Sequence, residues 1–431
     1  MTIHLRKLLP MALIAIFTFP SPVAAIPESL PDPDPVQRTW MRADLPVARN
    51  VVERTWMWGP VDDGVQTVEP YAESPDAART VTYFDKSRME ITHPGGDSSS
   101  EWHVTNGLLV VELMTGRLQT GDDAFEDRTP AVANVAGDPD DLSGPTYATL
   151  AALRGLPASS DGSFNTTRVT RDGVLVHDPS LAAYGAIAVE RVTVLGIDHQ
   201  VASPFWEFMN SSGVVFEHWR HVEGSLFPNP YYATGFPVTE AYWAEVKVAN
   251  VYRDVLVQCF ERRCLTYTPD NPHGWQIEAG NVGRHYYSWR YGTELPEPSR
   301  LEVTFNIHHG GSMIASTITS ETFFGELAVG EWQTRSPSGE LLAHGMLWAE
   351  HSLTGIEAVI VQDWPNTGWG NLVVQYQLSF SGLSGVGTLG YSVETASGME
   401  SGTTSMTAQA ASLTLFDVTV AEIPPVLFTG S

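Results

Sequence analysis

Histidine and aromatic side chains are the residues best spaced for chemistry in this chain. His285, Tyr287, Trp289 and Tyr291 occupy alternate positions, which on a strand places all four on one face. Such a ladder can stack on sugar rings, whose axial C–H bonds pack against aromatic planes. The competing reading makes it a core face, because large aromatics dominate cores. Trp364 and Trp369 flank the turn Pro365-Asn366-Thr367-Gly368. Two Trp on one polar loop are costly unless they touch a ligand or tuck away. Tyr287, Trp289, Tyr291, Trp364 and Trp369 are therefore the candidate ligand-binding residues.

Catalytic patterns are weak. His308-His309-Gly310-Gly311 resembles a glycine-rich oxyanion loop, but no Gly-x-Ser-x-Gly supplies a nucleophile, and Gly382-Leu383-Ser384-Gly385-Val386 fails at its last position. No catalytic residue is assigned. His308, His309, His344 and His351 lack the spacing of zinc ligands. Asp138, Asp140 and Asp141 lack that of a calcium loop. No metal ligand or cofactor is assigned. Paired carboxylates are the requirement for glycoside cleavage, and Asp198, Glu207 and Glu217 sit near Trp206 and Trp219. An acid pair within 198–245 is the hydrolytic alternative.

The elements that would position these residues include a pattern that occurs twice. The chain reads FDKSRMEITHP from Phe84 and WHVTNG from Trp102, then FERRCLTYTP from Phe260 and WQIEAG from Trp275. Phe84, Asp85 and Lys86 match Phe260, Glu261 and Arg262, and Gly107 matches Gly280. Arg117 and Arg290 each follow their Trp by 15 residues. Repetition at this grain argues for small β units, each a hairpin followed by a strand. The Phe residues would plug the core beneath each hairpin, with the charged pairs at solvated tips. Clear copies occupy 55–120 and 233–292, and 198–232 reads as a degenerate unit. Five units of about 50 residues would fill 46–292, a propeller-sized number.

Cys259 and Cys264 flank Phe260-Glu261-Arg262-Arg263 between strand-like runs. A four-residue hairpin loop sets them opposite one another, within disulfide reach. Two unpaired thiols are the alternative. The matching positions in the first copy are Tyr83 and Arg88, suited to a cation–π contact.

Arg6 and Lys7, the apolar run 8–19 and Val23-Ala24-Ala25 form a secretory signal peptide over 1–25. No stretch has transmembrane length. A secreted or surface protein is expected. With 50 acidic and 24 basic residues the net charge is −26, which argues against nucleic acid as a partner. Residues 26–45 are rich in Pro and Asp and read as an extended linker, and 293–300 as a second one. Period-2 alternation at Leu301, Val303, Phe305 and Ile307, and at Val374, Tyr376, Leu378 and Phe380, marks antiparallel strands. The expected fold is mainly β: repeated hairpin units over 46–292, then an antiparallel β-sandwich or small barrel over 301–425.

Gly235, Pro237, Phe260, Glu261, Thr268, Pro269, Gly280 and Trp289 fit a pattern that resembles the LGFP repeat of exported bacterial cell-envelope proteins. The first copy departs from it, with Trp58-Gly59-Pro60 at its opening and Asp85 in place of Glu. The resemblance implies binding at the envelope or outside the cell. Together these features lead to a secreted, non-catalytic protein that binds cell-wall or extracellular polysaccharide. The alternatives are a glycan hydrolase and a structural surface or assembly protein.

Overall fold

A computed structural model of the chain describes residues 34–48, 51–60, 64–218, 220–296, 300–324, 327–352, 355–362, 372–381, 384–395, 398–410 and 415–420. The proposed signal peptide, Trp219, and the turn carrying Trp364 and Trp369 lie outside these residues. The fold is mainly β. Small hairpin sheets and one six-stranded sheet build the first part, and nine strands build the last. The sheets before residue 296 have two, three or six strands and do not repeat as four-stranded blades, so a propeller does not form among the described residues.

Among the described residues, five α-helices accompany the strands: α1 (Pro35–Ala48), α2 (Leu109–Thr115), α3 (Tyr147–Ala151), α4 (Ser203–Met209) and α5 (Val282–Tyr291). Two of them correct expectations. Most of the supposed linker 26–45 is α1, which starts where the Asp34 carboxylate accepts the N–H of Val36 at 2.7 Å and Pro35 takes the first turn. Trp40, Met41 and Leu45 bury one side of it. The alternating aromatics of 285–291 lie on α5, not on a strand. Its end is set by Gly292, at φ 71°, whose N–H caps the carbonyl of Ser288. Residues two apart on a helix point to different faces, so His285, Tyr287, Trp289 and Tyr291 do not form a ladder.

The two matched segments fold alike. Ala78–Phe84 pairs with Ser87–Glu90, and Val251–Cys259 with Cys264–Tyr267. A third stretch adds next, through the bridge Glu90↔Thr105 in one case and Thr266↔Glu278 in the other. A helix then begins two residues after Gly107 or Gly280. The unit is thus a hairpin, a short edge pairing and a helix. Phe84 and Phe260 are buried beneath their hairpins. Arg117 and Arg290 do not correspond: the first lies exposed beyond the end of α2, the second is buried within α5.

The hairpin tips are not solvated as expected. Each is closed by the helix of the other unit. The carbonyl of Glu261 accepts the N–H of Val110 at 3.1 Å, at the start of α2; that of Asp85 accepts the N–H of Arg284 at 3.1 Å, at the start of α5. Unpaired N–H groups at a helix start need such acceptors. Outside each tip the backbone repeats again. Trp58 O accepts from Lys86 N, and Thr234 O from Arg262 N, both at 2.9 Å. The adjoining Gly59 and Gly235 have φ of 144° and 70°, and a Cβ on either would press on Asp85 or Glu261. One apolar core runs through both units, joining Tyr83, Leu109 and Leu113 to Val257, Val282 and Tyr286.

Cys259 and Cys264 are a register pair and form a disulfide. At the matching pair the Arg88 guanidinium lies 5.9 Å from the Tyr83 ring and 5.0 Å from that of Tyr286. It also meets Glu69 at 3.0 Å and Glu90 at 2.5 Å.

After residue 300 the architecture is a barrel rather than a sandwich. Nine strands, from Arg300–His309 to Leu415–Val420, pair in chain order, and the last closes on the first in parallel. The antiparallel alternation seen in sequence is correct except at that closing pair.

Candidate functional site

Among the described residues, a cleft of about 830 Å³ opens between α1, the loop 98–104, the hairpin Ser212–Glu217/Arg220–Ser225 and the segment 226–232. Its size suits a small molecule. Trp58, Phe216, Phe227 and Tyr232 supply aromatic lining, and Arg38, Arg42, Glu101, His103, Glu217 and His218 supply polar groups.

Helix α1 is fastened first. Asp44, fully buried, accepts the N–H of Met57 at 2.9 Å, of Trp58 at 2.7 Å and of Gly59 at 3.1 Å. Burial raises its pKa to about 6, against the lowering effect of those N–H groups and of Arg54. Trp40 adds a hydrogen bond from Nε1 to Gly59 O at 3.2 Å. These bonds seat Trp58 on the cleft floor. Arg263, pulled down to about 9 by burial, lies 4.9 Å from the Trp58 ring. The Trp58 Nε1 is buried and meets no acceptor among the described residues.

Arg42 then fixes the hairpin wall. It donates to Glu217 Oε1 at 2.7 Å, to Leu226 O at 2.5 Å and to Ser225 O at 2.7 Å. All three acceptors lie on the hairpin or directly after it, so one guanidinium sets its distance from α1. Arg38 holds the opposite loop through Ser98 O at 2.7 Å. That loop is shaped locally: Asp97 accepts from Ser99, and His103 N donates to Ser100 O at 3.1 Å. Trp102, between two lining residues, is 42% exposed and packs on Tyr232 with ring centres 5.5 Å apart.

The residues singled out in the sequence sit elsewhere. Tyr287 packs edge-on against Tyr83, Trp289 donates to Thr129 O at 2.7 Å, and Tyr291 donates to Glu69 at 2.8 Å. Tyr287 and Trp289 are partly buried against the core, and Tyr291 stays 41% exposed. Asp198 pairs with Arg191 on the surface. Glu240 is buried, accepting from Gln200 N at 2.9 Å and Ser159 N at 3.0 Å, with His199 Nδ1 at 3.2 Å. Of the acids considered for catalysis, only Glu217 reaches the cleft. Asp138 accepts from Ala249 N and Asn250 N, and Asp141 from Lys247 N, so these carboxylates secure a hairpin turn. Sequence reasoning missed Arg38, Arg42, Trp58, Glu101, His103 and Tyr232. The usable signal was Arg38-x-x-x-Arg42, which shares one face if 35–48 is helical.

No known protein family, curated protein or solved structure matches the chain.

Proposed function

We propose that this protein is exported and binds a saccharide of the cell envelope or the extracellular matrix in the cleft over Trp58. One observation carries the reading. Aromatic rings and charged side chains line one small-molecule-sized cavity. Sugars present apolar C–H faces and dense hydroxyls, and such a lining answers both. The half-exposed Trp102 extends the aromatic surface beside it. The signal peptide and the likeness of 233–292 to LGFP repeats support the exported setting, and we read the matched units as an internal duplication.

The test is calorimetric titration of the full chain with soluble peptidoglycan fragments and neutral oligosaccharides, repeated with Arg38→Ala and His103→Ala. A saturable one-to-one isotherm, weakened in both variants, is expected. Flat isotherms for every saccharide would end the proposal.

A second reading rests on two carboxylates, Glu101 and Glu217, that line the same cavity from different elements. Glycan cleavage needs such a pair. Release of reducing ends that disappears in Glu217→Gln, with binding kept, would favour it.

A further inference from the structure

We infer that the cleft takes a saccharide chain rather than a single sugar, with Trp102 as an outer subsite that stacks on the next ring of a β-linked, gluco-configured oligosaccharide. The inference rests on the saccharide reading above and extends it to the length and linkage of the ligand.

Trp102 stands at the rim of the cleft. Its neighbours Glu101 and His103 line the cavity, and so does Tyr232, on which its ring packs. Among the described residues no other tryptophan is as exposed. A single exposed apolar side chain would carry nothing by itself. Trp102 differs in being held still. The Arg262 guanidinium lies 5.6 Å from its ring centre, and the Tyr232 ring 5.5 Å away. Both neighbours are fixed in turn: Arg262 donates to Tyr232 O, and the Tyr232 hydroxyl donates to Val104 O at 2.9 Å. The backbone beneath the ring is set as well. Trp102 N donates to Ser100 Oγ at 3.2 Å, and Thr105 and Glu90 exchange backbone hydrogen bonds just beyond the loop. An aromatic platform ordered before binding loses little freedom when a ligand arrives.

The matched position in the second unit sharpens the point. Trp275 is partly buried, so this build can tuck the ring away, yet the first unit leaves it open beside the cavity.

An indole recognises a sugar through C–H groups on one flat face. Gluco-configured rings carry equatorial hydroxyls and leave such faces clear. A β-linkage keeps successive rings extended, so one ring can occupy the cleft while the next reaches its rim. An α-linked chain coils and breaks that alignment. The cavity, at about 830 Å³, lies in the upper part of the range that encloses drug-sized ligands, which is more room than one hexose fills.

The full chain is titrated calorimetrically with glucose, cellotriose and maltotriose, and with N-acetylglucosamine and chitotriose. The cello and chito arms separate plain from N-acetylated chains. Affinity should rise roughly tenfold from the monosaccharide to the β-linked trisaccharide in one arm or both, the worth of one aromatic stack. Maltotriose should not share the rise. Trp102→Leu keeps apolar bulk against Tyr232 and removes the aromatic face; it should weaken the trisaccharide by the same factor and leave the monosaccharide unchanged. Trp102→Phe should restore part of the loss. If Trp102→Leu does not fold, the length dependence and maltotriose decide. No rise with length, maltotriose bound as tightly, a rise that survives in Trp102→Leu, or equal loss at every length in that variant would overturn the subsite and leave the saccharide reading standing. Absence of binding to every sugar would end both.

Discussion

Replacing Gly283 by alanine tests how the two matched units hold each other. Gly283 lies in the first turn of α5, against the tip of the first hairpin. A Cβ there would sit 1.9 Å from Phe84 O, 2.4 Å from Ser87 O and 2.8 Å from Ser87 N. All three are backbone atoms, so no side chain can rotate away. Helix propensity alone favours alanine by about 1 kcal/mol. Relief of the clash requires α5 to retreat by more than 1 Å, given ordinary contacts of roughly 3.5–4 Å. That retreat breaks the bond from Arg284 N to Asp85 O, worth about 1 kcal/mol. It also loosens the packing of Val282 and Tyr286, with a cost typical of an overfilled core, about 1–3 kcal/mol. The net expectation is a loss of about 1–3 kcal/mol, opposite in sign to the propensity argument. Urea denaturation followed by circular dichroism measures it. A Gly283→Ala variant as stable as the parent, or more so, would refute the interlocked arrangement.

Replacing both Cys259 and Cys264 by alanine should cost about 2 kcal/mol, because the loop they close is short; an unchanged urea midpoint would contradict this. Arg88→Met leaves Glu69 and Glu90 without one of their buried partners and should cost about 3–5 kcal/mol, read from the same midpoint. Burial lowers the His285 pKa to about 4, below the 6.5 of a free imidazole. Its stabilising contribution is therefore full above pH 6.5 and is lost as pH falls towards 4, by at most about 3 kcal/mol since the ring keeps some solvent access. Relative to the parent, His285→Phe should tolerate pH 4.5 better, and equal acid sensitivity would sink the point. Asp44 has the opposite sign. Its pKa is raised from 3.8 to about 6, so its contribution grows more favourable as pH drops from 6 towards 4. Asp44→Asn should lose that gain, which shows in melting temperatures taken from pH 7 to 4.5.

Much of the β framework was legible in the sequence. Alternation at 301–307 marked a strand, and the four residues between Cys259 and Cys264 implied the hairpin and its bridge. The matched FDK and FER turns marked two hairpins, Ala78–Phe84 with Ser87–Glu90 and Val251–Cys259 with Cys264–Tyr267. The helices were less legible. Pro35, Pro46 and several Asp made α1 read as a spacer, although an N-terminal Pro and a capping Asp also start helices. The β-prone aromatics of 285–291 imitated a strand; their helix follows from tertiary contacts at Asp85 and Tyr83, which overrule propensity. The closing parallel pair of the barrel joins residues more than a hundred positions apart, and no local pattern encodes it. The cleft was illegible for the same reason. Arg42 and Glu217 meet across 175 positions, and only the fold brings them together.

The exchange of helices between the two hairpin tips has a topological outcome. About 110 residues of other structure separate the partners along the chain, yet each completes the other. Cleavage of the exposed turn at 160–162 should leave two fragments that remain associated and migrate as one species until denatured. Neither fragment expressed alone should reach a native state, whereas co-expression should restore it.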